Sequence, residues 1–276
     1  MSGSVGLLDI VRRAKNAMSA YNESLRIHTN NSANMATIGY KSLRHSFKTV
    51  FNDVVNEGFQ GEGTSGQLNP IQFGSGVSLG GISLDFSQGA LGEGGALDIA
   101  VSGRGLFVVT PDGGNTFYYT RNGSFHVDTT GQYIVDTSGR MLIGDGDSPI
   151  TTGGHTDLGW GPDGILVGNY SAYSAGTAPA IQVGRVQLAD FTNVEGLVQY
   201  DGTAMRESAV SGSRFSGFSG EGSFGTVEPQ SLEKSNVFYI GETIDAIEVQ
   251  RAMSATLSAI KIASDQISQV INRLLS

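Results

Sequence analysis

Cysteine is absent from the 276 residues, which excludes disulfides and thiolate metal sites alike. Proline is missing from both ends, since all six lie between Pro70 and Pro229. Glycine is scarce there too: residues 1–48 hold only Gly3, Gly6 and Gly39, and residues 232–276 hold only Gly241. Charge is thin, with 16% Asp, Glu, Lys and Arg, and the net value of −9 argues against nucleic acid as a general partner. No run approaches the roughly 18 apolar residues of a membrane helix. Met1–Ile10 lacks the basic start and long apolar stretch of a cleaved secretory signal, so export by that route is not expected.

What is present complements these absences. Of 40 glycines, 36 lie in residues 49–231, so helix breakers crowd the middle and spare the ends. The ends carry helical periodicity instead. Leu7, Val11, Ala14, Met18, Tyr21, Leu25 and His28 advance in three- and four-residue steps, as do Met253, Leu257, Ile260, Ser264, Ile267, Ile271 and Leu274. Ile240, Ile244 and Ile247 form a third stripe, which Arg251 interrupts. Such narrow stripes, close to heptad spacing, require a partner helix from the same chain or from another subunit. The expected seam is Leu7, Val11, Met18, Tyr21 and Leu25 against Met253, Leu257, Ile260, Ile267, Ile271 and Leu274.

The middle reads as short strands. Leu97, Ile99 and Val101 alternate with polar or small residues, and Leu106–Thr110 is a compact apolar run. Phe117–Arg121 and Ser124–Val127 flank Asn122-Gly123, which predicts a two-residue hairpin. Turns at Asp128–Gly131 and Asp136–Gly139 then separate Gln132–Val135 from Arg140–Ile143, and Ile181–Phe191 and Leu197–Tyr200 form a later strand group. The expected fold class is α+β: long terminal helices paired as a coiled coil, with an inserted, mainly antiparallel β domain. The expected organisation is a helical segment over 1–48, an extended glycine-rich stretch over 49–75, a β domain over 76–231 and a helical segment over 232–276. Residues 1–48 hold seven Lys/Arg against two Asp/Glu, so a basic end adjoins an acidic middle, which suits attraction between copies.

At three places the residues resemble one family. Asn30-Asn31-Ser32-Ala33-Asn34-Met35-Ala36-Thr37-Ile38-Gly39-Tyr40-Lys41 is similar to the N-terminal signature of bacterial flagellar rod and hook proteins. Leu232-Glu233-Lys234-Ser235-Asn236-Val237, with Glu242 and Gln250-Arg251-Ala252 beyond it, resembles their C-terminal signature. Leu97–Val101 through Tyr119–Phe125 is similar to their first β segment. Ser32, His28, Thr29 and Phe238–Ile240 depart from the usual pattern. The resemblance implies a structural subunit exported unfolded through the flagellar type III apparatus, placed in the periplasmic rod or outer hook. It also implies helical polymerisation into a tube that transmits torque and serves as export channel. The implied partners are copies of itself and neighbouring rod and hook proteins, with no nucleic acid and no membrane insertion. Asn30, Asn31, Asn34, Gly39, Tyr40, Ser235, Asn236, Val237, Gln250, Arg251 and Ala252 are the implied assembly residues. A distal-rod-like subunit is favoured over a compact hook subunit, because hook proteins insert a larger second β domain where this chain has residues 144–180.

Catalytic and cofactor patterns fare poorly. Gly61-Glu62-Gly63-Thr64-Ser65-Gly66 has dinucleotide-loop spacing, but Pro70 stands where the binding helix should run. Gly76-Val77-Ser78-Leu79-Gly80 resembles a nucleophile elbow but runs into Ile82, Leu84 and Phe86, a strand pattern. Gly144-Asp145-Gly146-Asp147 lacks the later ligands of a calcium loop. His28, His45, His126 and His155 show no metal-ligand spacing. No enzymatic activity, cofactor or metal is expected; the rival of another class is a rod-associated peptidoglycan hydrolase, for which no segment singles out a carboxylate pair.

Overall fold

The structure is a computed structural model that describes residues 2–50, 52–56, 71–74 and 76–275, with side chains described over 11–50 and 76–273. Two compact units share the chain. The first contains residues 1–32, 43–82 and 239–276, and the second residues 33–42 and 83–238.

In the first unit, helix α1 (Ser2–Ala33) precedes strand β1 (Leu43–Thr49), the pair β2 (Asn52–Asn56) and β3 (Ile71–Gly74), and β4 (Val77–Leu84). β1 pairs with β4, and β2 with β3. The unit closes with the last helix, Tyr239–Leu275. The N-terminal helix is shorter than the expected 1–48. It stops at Ala33, where Thr37 N–H turns back to Asn34 O (3.1 Å) and Gly39 adopts φ +67, outside the helical region. The Asn31 side chain then engages both the N–H and the C=O of Leu43 at 2.9 Å, so the returning chain begins as a strand. Most of the glycine-rich stretch, including residues 61–66, lies outside the described residues. Gly76–Gly80 falls at the start of β4, a strand as its alternation predicts.

The second unit begins with β5 (Leu91–Glu93), β6 (Ile99–Ser102), β7 (Leu106–Thr110), β8 (Tyr118–Thr120), β9 (Phe125–Val127), β10 (Ile134–Asp136) and β11 (Met141–Leu142). It continues with β12 (Gly159–Trp160), β13 (Ile165–Val167), the short helix α2 (Tyr170–Ser174), β14 (Gln182–Arg185) and β15 (Leu188–Phe191). Its last strands are β16 (Val198–Asp201), β17 (Ala204–Arg206), β18 (Arg214–Gly217), β19 (Thr226–Pro229) and β20 (Ser231–Glu233), after which the closing helix is α3. The strands of this unit pair antiparallel. The largest sheet runs β16-β17-β8-β7-β11-β10-β9, and it branches at β7, whose first residues pair with β15 and last with β11. β7 is buried at all five positions, as its apolar run requires of a central strand. Phe107, Phe125, Ile134, Leu142, Trp160, Leu166, Val186 and Leu188 pack in one cluster, and Trp160 Nε1–H donates to Leu97 O at 2.8 Å.

The meander is as expected at two turns: β9 pairs with β10, and β10 with β11, with Gly131 and Gly139 at positive φ between them. Asn122-Gly123 is different. β8 pairs with β7 and β17, and β9 with β10, so the dipeptide joins two strands that are not partners. Tertiary packing overrides the hairpin signal here: a Cβ on Gly123 would lie 1.5 Å from Ile99 O, and Ile99 N–H donates to Gly123 O at 3.0 Å. Residues 144–180, unassigned by sequence, supply β12, β13 and α2, and β12-β13-β14 form a separate sheet.

Candidate functional site

The second unit contains a buried ionic knot. Lys41 Nζ donates to Glu233 Oε1 (2.7 Å) and Ser87 O (2.8 Å). Arg121 donates through Nη1 to Glu233 Oε2 (3.2 Å) and Val101 O (3.1 Å), and through Nη2 to Gly103 O (2.6 Å). Glu233 is fully buried and also accepts from Gly89 N–H at 2.8 Å. Two cations thus share one carboxylate and three backbone carbonyls take further donors, while Arg121 Nε is buried without a partner among the described residues. Burial lowers the pKa of both Lys41 and Arg121, while Glu233 acts in the opposite sense on each. Desolvation of this kind largely cancels the Coulombic gain, so the knot fixes position more than it adds stability.

Around it, the two signature segments meet. Gly39 N–H donates to Glu233 O at 2.7 Å, and a Cβ at Gly39 would fall 2.3 Å from Asn122 N. Asn236 Oδ1 accepts from Ser42 N–H (2.8 Å), and its Nδ2 donates to Asp85 O (2.7 Å) and Ser87 O (3.1 Å). Residues 39–42, the Arg121–Gly123 turn and residues 233–236 therefore form one hydrogen-bonded assembly, drawn from three distant stretches of chain.

A second polar cluster lies in the first unit. Glu242, on the first turn of α3, receives His28 Nδ1 at 2.6 Å on one oxygen and Asn31 Nδ2 at 2.9 Å on the other. The His45 ring stands edge-on to His28 with centroids 5.1 Å apart, and its Nε2 lies 2.7 Å from Ser24 Oγ. Phe47 and Tyr21 continue the row of rings. Burial lowers the His45 pKa, and the neighbouring His28 lowers it further, against the carboxylates of Glu242 and Asp245. Among the described residues no group of three or more His, Cys, Asp or Glu is arranged to hold a metal ion.

α3 has two unlike faces. Glu242, Ala246, Val249, Met253, Thr256, Ile260, Ala263 and Ile267 are shielded and advance in alternating four- and three-residue steps, a heptad seam. Of the sequence stripe, Met253, Ile260 and Ile267 lie on this shielded face. Leu257 and Ile271 of the same stripe are 47% and 49% exposed, and Thr256 holds the shielded position beside Leu257. The small side chains are the ones that permit close approach there, so the largest aliphatic residue does not mark the seam. On the opposite side, Ile240, Ile244 and Ile247 are 61%, 52% and 44% exposed.

The remaining expected residues are distributed unevenly. Val11, Met18, Tyr21 and Leu25 are half-buried on α1, whereas the side chains of Leu7 and Leu274 lie outside the described residues. Asn31, Gly39 and Tyr40 are buried within the chain, while Asn34, Ser235, Asn236, Val237 and Ala252 are half-buried; Asn30, Gln250 and Arg251 are exposed. Sequence reasoning singled out neither Lys41 nor Arg121 nor Glu233. All three stand inside the signature stretches, but no local pattern pairs residues so far apart.

A sequence model of the flagellar hook protein FlgE/F/G D1 domain matches residues 100–185. The chain is 30% identical over 272 residues to the flagellar basal-body rod protein FlgG of Buchnera aphidicola from Acyrthosiphon pisum, covering 95% of this chain and 97% of that one. To the rod protein FlgG of Bacillus subtilis it is 28% identical over 260 residues, covering 92% and 95%. To the flagellar hook protein FlgE of Helicobacter pylori it is 33% identical over 157 residues, 56% of this chain and 20% of that one.

Proposed function

This chain belongs to the flagellar rod and hook protein family and is a structural subunit of the flagellar axis, and we propose that it polymerises helically into the distal rod. In this reading the subunits form a tube that transmits torque and through which later subunits pass. Neighbouring rod and hook proteins are its other partners. The observation that carries polymerisation is the outward isoleucine face of α3, which the single chain leaves in water although burying each side chain is worth about 1.5–3 kcal/mol. The rod is favoured over the hook because rod relatives match from end to end, whereas the hook relative matches over a fifth of its length. A mechanical role is supported by the way Lys41 and Arg121 are both tied to Glu233 away from solvent.

Deletion of the gene tests the reading. Hook–basal bodies purified from the parent strain are expected to contain the chain by mass spectrometry. The deletion strain is expected to be non-motile with shafts that stop short of the hook. A deletion strain that swims on full-length shafts, with the chain absent from the parent's basal bodies, would overturn it.

A further inference from the structure

We propose that the isoleucine stripe of α3 in one copy seats in the groove between α1 and the β1–β4 ribbon of a second copy. The proposal rests on the polymerisation reading and specifies which surfaces meet. The stripe is Ile240, Ile244 and Ile247, spaced i, i+4 and i+7, the anchor pattern of a helix that lies in a groove. These residues point away from the heptad seam, so no contact of the seam covers them.

The groove lies within the first unit and has a volume of about 780 Å³. Ala20 on α1 with Val50 and Leu79 from the ribbon make its apolar wall, Ser19 adds a small polar one, and Glu23 and Lys48 bring one charge of each sign. Among the described residues none of α3 lines it. The stripe carries a charge complementary to Lys48. Glu248 flanks Ile244 and Ile247 on the helix surface, and Arg251 continues the stripe one turn beyond Ile247. Lys48 and Glu248 are both exposed, and neither makes an ion pair among the described residues. Seating the isoleucines in the groove sets Glu248 toward Lys48, while Glu23 stays paired with Arg26 of its own chain at 2.9 Å.

The symmetry of such a contact matters. Stripe and groove are different patches of one subunit, so each copy offers a second copy the patch it has not used. A heterologous contact closes into a ring or runs on as a helical filament according to its rotation, and the second is what a shaft requires, whereas stripe against stripe would stop at a two-fold dimer.

The absence of cysteine makes a direct test simple. One chain carrying Ile244→Cys and another carrying Leu79→Cys are co-expressed, and isolated shafts are oxidised and run on a non-reducing gel. A dimer band that requires both substitutions is expected. Shafts that form but give no such band, or a band from Ile244→Cys alone, would overturn the pairing and leave the polymerisation reading intact; no shafts from the unsubstituted chain would overturn both. A second test avoids the apolar positions. Lys48→Glu and Glu248→Lys are each expected to lower shaft yield about tenfold or more, since like charges then face each other, and the double variant is expected to recover most of it. Unaffected single variants, or a double variant no better than either single one, would contradict the proposal.

Discussion

Gly39 meets two separate demands. Its φ of +67 favours glycine, and Asn122 backbone stands where a side chain would begin. Gly131 meets the first demand alone, with φ +73 and open space around it. Gly131→Ala is therefore expected to cost about 1–2 kcal/mol, the left-handed penalty. Gly39→Ala should cost more, on the order of 3 kcal/mol or above, because backbone must also shift. Urea denaturation of the two variants checks the order; equal midpoints would mean that the Gly39 approach relaxes freely. Glu233 makes a comparable contrast with Lys41. Glu233→Gln strands two buried cations and should cost about 3–5 kcal/mol, while Lys41→Met leaves Arg121 paired with Glu233 and should cost less. The His45 ring supplies a pH dependence. Its folded pKa is lowered, so folding favours the neutral ring, and stability is lost as pH falls below about 6.5 and through the lower folded value. Melting temperatures between pH 8 and pH 5 should fall less in His45→Gln than in the parent chain; parallel curves would exclude His45 as the source.

At the scale of elements, α3 separates residues that look alike in sequence. Ile260 is shielded on the heptad seam, and Leu257, one step beyond Thr256, is exposed. Ile260→Asp is expected to destabilise the first unit by several kcal/mol, because a charge placed on a shielded face lacks a partner. Leu257→Asp is expected to stay within about 0.5 kcal/mol of the parent, as surface changes do. Helical content by circular dichroism at rising temperature distinguishes them. The same helix shows what was legible. Long runs without proline or glycine marked both helices, because breakers are the strongest local signals. Residues 43–49 also contain no breaker, so local sequence extends the helix through them. Their strand is set by pairing with β4 and by Asn31 holding Leu43, neither of which local sequence encodes. The Asn122-Gly123 turn failed likewise, to the close approach of Ile99. The ionic knot and the facing histidines were invisible because their members meet only through the fold.

For the whole molecule, charge divides by unit. The first holds nine Lys/Arg and nine Asp/Glu, whereas the second holds 8 and 17 and so carries the whole −9. Copies of an acidic β unit repel one another, so the proposed association falls to the neutral unit with its uncovered isoleucine face. Under the proposed function the long helices make the wall of the shaft. Electron cryo-microscopy of isolated basal bodies tests that claim most directly. The account predicts helically repeated density into which this chain fits, with α1 and α3 in the tube wall. Shaft density explained entirely by other chains, with no place for this one, would contradict it.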